Sequence, residues 1–148
     1  MRRRQTIPSQ WLVVANSGDW SAAKWLPRGS GVLLLRPLSA SRMRELRQLG
    51  ARRDLTILIE RPGSAIRVHN SRELRSAMLR RTPLILLSPL YPTQSHPDWQ
   101  PLPRMRAAAL ARLGGRKLLA LGGMDAHKFA LVRNLGFQAW AGISAFRT

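Results

Sequence analysis

Seven short apolar runs set the rhythm of the chain: residues 11–16 (WLVVAN), 31–36 (GVLLLR), 55–60 (LTILIE), 65–68 (AIRV), 84–87 (LILL), 117–121 (KLLAL) and 138–143 (QAWAGI). Most are continuously apolar instead of alternating, which is how a parallel strand covered on both faces reads. The runs give way to small, polar or turn-forming residues, among them Asn16-Ser17-Gly18-Asp19, Pro37, Arg61-Pro62-Gly63 and Gly122-Gly123.

Between the runs, apolar residues return at helical spacing. Met43, Leu46 and Leu49 mark a helix over 41–53, opened by Ser39 or Ser41 and with Gly50 as its C-terminal stop. Leu74, Ala77 and Met78 mark another over 71–81, with Asn70 as N-cap and Glu73 at capping-box distance. An alanine-rich helix over 104–113 ends at Gly114-Gly115, and one over 125–134 turns Phe129 and Val132 inward before Gly136. Residues 20–26 have room for only one or two turns before Pro27 and Gly29.

Strands alternating with helices predict βα units and a parallel sheet. The units arrive every ~20 to 30 residues, a spacing that suits a (β/α) barrel or an open doubly wound sheet. With 148 residues the chain is expected to form one domain, 1–148. In such sheets function gathers at the C-terminal ends of the strands, where loops converge and helix N-termini point amide donors outward. The positions to weigh are therefore Asn16, Arg36, Glu60, His69, residues 88–96, Gly122-Gly123 and Ser144.

Among these, His69 is the best general base, because a neutral imidazole takes up a proton near physiological pH. His96, in a turn-rich loop, could meet an anion when protonated, whereas His127 falls on the polar side of its helix. The three histidines lack metal-ligand spacing, and no zinc site is expected. Gly122-Gly123 lets backbone approach an oxyanion with its N–H groups unblocked, although any tight βα turn uses glycine in the same way. Glu60 could hold Mg²⁺ or act as a base, and Arg36 could meet a phosphate; alternatively the two pair with each other across neighbouring strand ends.

Composition narrows the setting. A hydrophobic fraction of 45% argues against disorder. No apolar run approaches the ~20 residues that span a bilayer, and the apolar piece after Arg2–Arg4 is shorter than the ~7 to 15 residues of a signal peptide core. No cysteine is present, which removes disulfides and thiolate chemistry. The expectation is a cytoplasmic protein. A net charge of +18 makes nucleic acid the first partner to consider. However, the 22 arginines are spread over the polar faces of the helices, without aromatic interleaving. A generic basic exterior is the expected reading, and nucleic acid is not the expected partner.

Three motifs in order resemble a known family. LLSPLYPTQSHP at 86–97, LALGGM at 119–124 and WAGISAF at 140–146 look like the C-terminal half of the thiamine phosphate synthase/TenI family, with its GPVFPTxTK-like loop, AIGGI strand end and VSAI ending. In the N-terminal half, GVLLLRPLSASRMREL resembles the strand-two segment with its QLREK core, and IRVHNSREL resembles the VSxHSxEE segment. The resemblance implies a TIM barrel in which Gly122, Gly123, Ile143 and Ser144 hold a thiazole phosphate. Thr93 and Ser95 would contact pyrophosphate or neighbouring substrate groups, and Arg36 the pyrimidine pyrophosphate. His69 would match the acid/base histidine of TenI-type thiazole tautomerases.

The departures point to a particular branch of that chemistry. Ile59-Glu60 stands where a synthase has Asn-Asp, the HLGQxD segment is missing, and His96, Leu38 and Arg67 replace two lysines and a serine of the pattern. Pyrophosphate displacement needs its leaving charge neutralised by Mg²⁺ and cations, so metal-free proton transfer at His69 is the better expectation, with Glu60 the remaining candidate for Mg²⁺. The expected fold is an α/β, TIM-barrel-like (β/α) domain, shortened or incomplete with about seven βα units. Either the barrel is incomplete and covered by a partner, or it has a further short strand that the pattern does not reveal; a homo-oligomer is a candidate assembly. The expected function is a thiamine-biosynthesis enzyme binding a thiazole phosphate or thiamine phosphate. The alternatives are a non-catalytic phosphate-ligand-binding remnant of the family and, third, a nucleic-acid-binding protein.

Overall fold

The computed structural model describes residues 7–16, 18–93, 97–143 and 145–146. In it the seven apolar runs form one all-parallel sheet: β1 (Gln10–Val14), β2 (Gly31–Leu34), β3 (Thr56–Ile59), β4 (Ala65–Val68), β5 (Leu84–Leu87), β6 (Leu118–Ala120) and β7 (Trp140–Gly142). The strand order is β3-β2-β1-β7-β6-β5-β4. β7 is the middle strand of that order, and β1 beside it is hydrogen-bonded to β2 on one side and β7 on the other. The two edge strands, β3 and β4, meet where Arg61 bridges Ala65 and Glu60 pairs with Arg67. The result is a nearly closed, TIM-barrel-like sheet with seven strands where eight close a full barrel.

Alternation along each strand divides the core in two. Trp11, Val13, Leu33, Leu84, Leu86, Leu119, Leu121, Ala139 and Ala141 fill the inside of the barrel. The other face packs under helices, in one cluster around Ile85, Leu87, Leu118 and Phe137 and another around Leu12, Val32, Leu34 and Leu46. Trp11 shows how the interior is fitted. Its register neighbours are Gly31 and Ala141, and a Cβ on Gly31 would overlap the indole ring. The indole N–H donates to the Pro8 carbonyl at 2.8 Å, so the large ring is buried with its one polar group satisfied.

The connections are uneven. A 3₁₀ segment, Asp19–Trp25, joins β1 to β2, and α1 (Ala40–Arg53) joins β2 to β3. α2 (Ser71–Leu79), α3 (Arg104–Gly114) and α4 (Ala126–Val132) follow β4, β5 and β6. Between β3 and β4 the chain has only residues 60–64, too few for a helix. β3 is accordingly a half-covered apolar strand, its Ile57, Leu58 and Ile59 only partly buried, while β2 and β5 are buried along their whole length.

Local signals account for most of the helix ends. The Ser39 hydroxyl accepts from the Arg42 N–H, the Asp125 carboxylate from the Lys128 N–H, and the Asn70 side-chain oxygen from the Glu73 N–H. The Glu73 carboxylate accepts in return from the Asn70 side-chain amide, and not from its backbone N–H as in a capping box. Gly50 departs from its expected role. The helix runs through it to Arg53 and ends at Asp54, which takes the left-handed conformation with φ 55°. Gly50 is buried against β3, where an added Cβ would lie 2.9 Å from Ile57 Cδ1, so the glycine serves close helix–sheet approach and not termination. Among the described residues, no helix is long and apolar enough to cross a membrane.

Candidate active site

The alternation that fills the barrel also builds a polar corner at its open seam. Ala65 faces inward on β4, so Arg67 and then His69 fall on the same side. Leu58 packs on the inner cluster from β3, which puts Glu60 inward as the strand ends. Glu60 and Arg67 meet in a bidentate pair, Nε to Oε2 at 2.7 Å and Nη2 to Oε1 at 3.0 Å. The two-pronged geometry makes this one of the stronger kinds of ion pair. The carboxylate therefore finds a cation, but on β4 and not at Arg36, which lies exposed after β2.

His69 is held from three sides. Its backbone N–H donates to Glu73 Oε2 at 3.1 Å, joining the histidine to the first turn of α2. Its Nδ1 lies 2.9 Å from the Ser88 carbonyl oxygen at the end of β5. A carbonyl can only accept, so the contact requires a proton on Nδ1 and leaves the Nε2 lone pair available as a base. The Trp99 ring meets the imidazole edge-on, with centroids 5.1 Å apart and planes at 76°. Glu60, Arg61, Arg67, His69 and Trp99 line a cavity of about 430 Å³ at the seam.

A second group lies at the end of β6. Gly122 and Gly123 both have positive φ, 102° and 60°. The segment after β5 runs beside them: the Leu90 N–H donates to the Leu121 carbonyl at 3.0 Å and the Tyr91 N–H to the Gly122 carbonyl at 3.1 Å. A Cβ on Gly122 would lie 2.7 Å from Pro89 Cα, and one on Gly123 would run into the Pro92 carbonyl oxygen. The close approach that these glycines permit is made to the protein's own loop. Lys128 completes the corner, donating to the Gly123 carbonyl at 3.0 Å with its ammonium 5.3 Å from the Tyr91 ring centroid.

Of the residues singled out from sequence, His69 and Glu60 share the seam cavity. Thr93 is half-buried in the loop that covers the glycines, and Ile143 packs half-buried against the barrel interior. Ser88 and Pro89 join the two groups, since Ser88 holds His69 while Pro89 sits on Gly122. Ser95, His96 and Ser144 lie outside the described residues. His127 is exposed on α4. Sequence reasoning passed over Arg67 as an interior cation and Trp99 as a neighbour of the histidine.

The donor set does not fit Mg²⁺. Both Glu60 oxygens are engaged by Arg67, and among the described residues no three His, Asp or Glu side chains gather as a metal-binding group. Comparison with protein-family models and with curated proteins gives no match.

The ion pair carries a prediction of its own. Glu60→Ala leaves the Arg67 charge partly desolvated, its side chain only 33% exposed, and should cost ~1–2 kcal/mol in urea melts. Glu60→Met combined with Arg67→Met should recover most of that loss, because removing both charges leaves no unpaired ion. A double variant as unstable as the single would show that the cost does not come from an unpaired Arg67 charge.

Proposed function

We propose that the chain is a small-molecule acid/base enzyme on a shortened barrel, resembling the thiamine phosphate synthase/TenI family, that binds a thiazole phosphate and moves a proton with His69. The observation that supports this reading is the Nδ1 contact to the Ser88 carbonyl, which leaves Nε2 of the neutral imidazole as the basic nitrogen, beside a cavity of ligand size. Nε2 takes a proton from the substrate, the Ser88 carbonyl steadies the resulting imidazolium through Nδ1–H, and the same proton returns to another atom of the conjugated ring. Such a tautomerisation consumes no co-reactant.

The two departures from the family pattern at this corner support the metal-free branch. Glu60, in place of a metal-binding Asp, and Arg67, in place of a serine, neutralise each other. A working place in the cytoplasm belongs to the same proposal and suits a cysteine-free chain.

Calorimetry with a thiazole phosphate, with inorganic phosphate as control, tests the binding half; isotope exchange at the ring tests the chemistry. Binding selective for the thiazole phosphate together with exchange supports the enzyme. Binding without exchange supports the alternative of a non-catalytic remnant. Absence of binding to either compound sinks both.

A further inference from the structure

The helix that the β3–β4 connection lacks leaves a groove on the outside of the barrel, and its banks are basic. α1 packs one flank toward the 3₁₀ segment, where Arg53 donates to the Leu26 carbonyl and the Arg52 carbonyl accepts from Arg28. On the face turned to the sheet, Gly50 meets Ile57 of β3. The flank beyond Gly50 carries Ala40, Arg44, Arg47 and Ala51 at i, i+4, i+7 and i+11, a single stripe, and with Met43 it lines a depression of about 680 Å³. Across the seam, α2 packs on α3 with one flank and with the other, through Arg72, Ser76, Ala77 and Arg80, lines a depression of about 270 Å³ floored by Ile66 and Val68 of β4.

α1 packs on β3 and α2 on β4, so the two depressions lie on the helices that flank the place where a barrel would set the helix following β3. The half-covered Ile57 and Ile59, on the outer face of β3, belong to the same gap. We infer that this groove docks an acidic amphipathic helix of a partner protein, whose apolar stripe covers the β3–β4 surface and whose carboxylates meet Arg44, Arg47, Arg72 and Arg80. Charge selects the occupant. All four arginines are exposed, and the carboxylate on this flank, Glu73, is engaged by His69 and Asn70. A second copy of a chain carrying +18 would meet strong repulsion here. Nucleic acid would gain nothing from an apolar floor of helix width.

The probe is a labelled peptide of about 14 residues, the length of α1, or ~20 Å as a helix, with leucines at i, i+3, i+4 and i+7 and glutamates flanking them. A peptide of the same composition with the stripe scrambled and a single-stranded oligonucleotide of equal charge are the controls. Anisotropy should show binding of the amphipathic peptide alone. Arg44→Glu with Arg72→Glu should weaken it roughly tenfold or more, and Arg112→Glu with Arg116→Glu, away from the groove, should not. Equal binding of either control, equal loss in both double variants, no binding of the amphipathic peptide, or self-association of the chain abolished by the groove variant would each overturn the proposal. His69 lies outside the groove, so failure here leaves the catalytic proposal standing.

Discussion

Gly122→Ala is expected to destabilise the protein by ~2–5 kcal/mol, the sum of a strained backbone conformation and a forced contact. At ~2–4 °C per kcal/mol for a chain of this size, the melting temperature should fall by roughly 5–15 °C. The φ of 102° lies where L side chains rarely go, and the added Cβ would sit 2.7 Å from Pro89 Cα and 3.1 Å from the Leu90 nitrogen. Those are main-chain atoms, fixed by the Leu90 and Tyr91 hydrogen bonds to Leu121 and Gly122, and they cannot rotate aside. Gly63 supplies the control. It also has positive φ, 85°, but nothing lies within 4 Å of its Cβ position, so Gly63→Ala should cost only the conformational part, ~1–2 kcal/mol. Thermal melts that place the two variants together would mean that the 89–92 segment does not press on the glycines.

That contrast bears on what the sequence could reveal. Seven strands and four helices were legible because their signals are local: continuous apolar runs, side chains at helical spacing, and caps such as Asn70 and Asp125. The short β3–β4 connection could also be read, since Arg61-Pro62-Gly63 leaves no room for a helix. Gly50 was misread because a glycine near the end of a helical pattern has two physical uses, ending the helix or letting it lie close to a sheet. Only the position of Ile57 decides between them, and that contact comes from the next strand. Gly122-Gly123 poses the same ambiguity, an approach by ligand or by loop, and the loop that makes the approach is about thirty residues earlier in the chain.

The candidate site was legible to a similar depth. His69 follows a strand and precedes a capped helix, which sequence alone marks as a position to weigh. Arg67 could have been found by carrying the alternation of β4 one step back from His69: Ala65, Arg67 and His69 share a face, and a cation there needs an anion such as Glu60, which follows Leu58 by the same step of two. Its partner instead looked like Arg36, at a neighbouring strand end, because the order of strands around the barrel is not written in spacing. Trp99 carries no periodic signal, and only the folded path of the 97–103 segment brings it to the imidazole.

His69→Ala should lower ring-proton exchange on a thiazole phosphate by ~10²–10⁴, the usual contribution of a positioned general base. The loss should fall on kcat and leave KM near wild type, because in the proposed reaction the imidazole takes a proton and does not anchor the phosphate. Folding should survive, since His69 is only half-buried and its backbone link to Glu73 does not depend on the side chain. His69→Asn sharpens the test. Its side-chain amide nitrogen stands as many bonds from Cβ as Nδ1 does and can donate to the Ser88 carbonyl in its place, so it keeps the local hydrogen bonding without supplying a base. If the imidazole matters for holding Ser88 and the loop on Gly122, asparagine should restore stability and binding where alanine does not. If it matters as a base, asparagine should be as slow as alanine while melting like the wild type. Exchange at the wild-type rate in either variant would take His69 out of the mechanism and leave the cavity to be explained as a binding site.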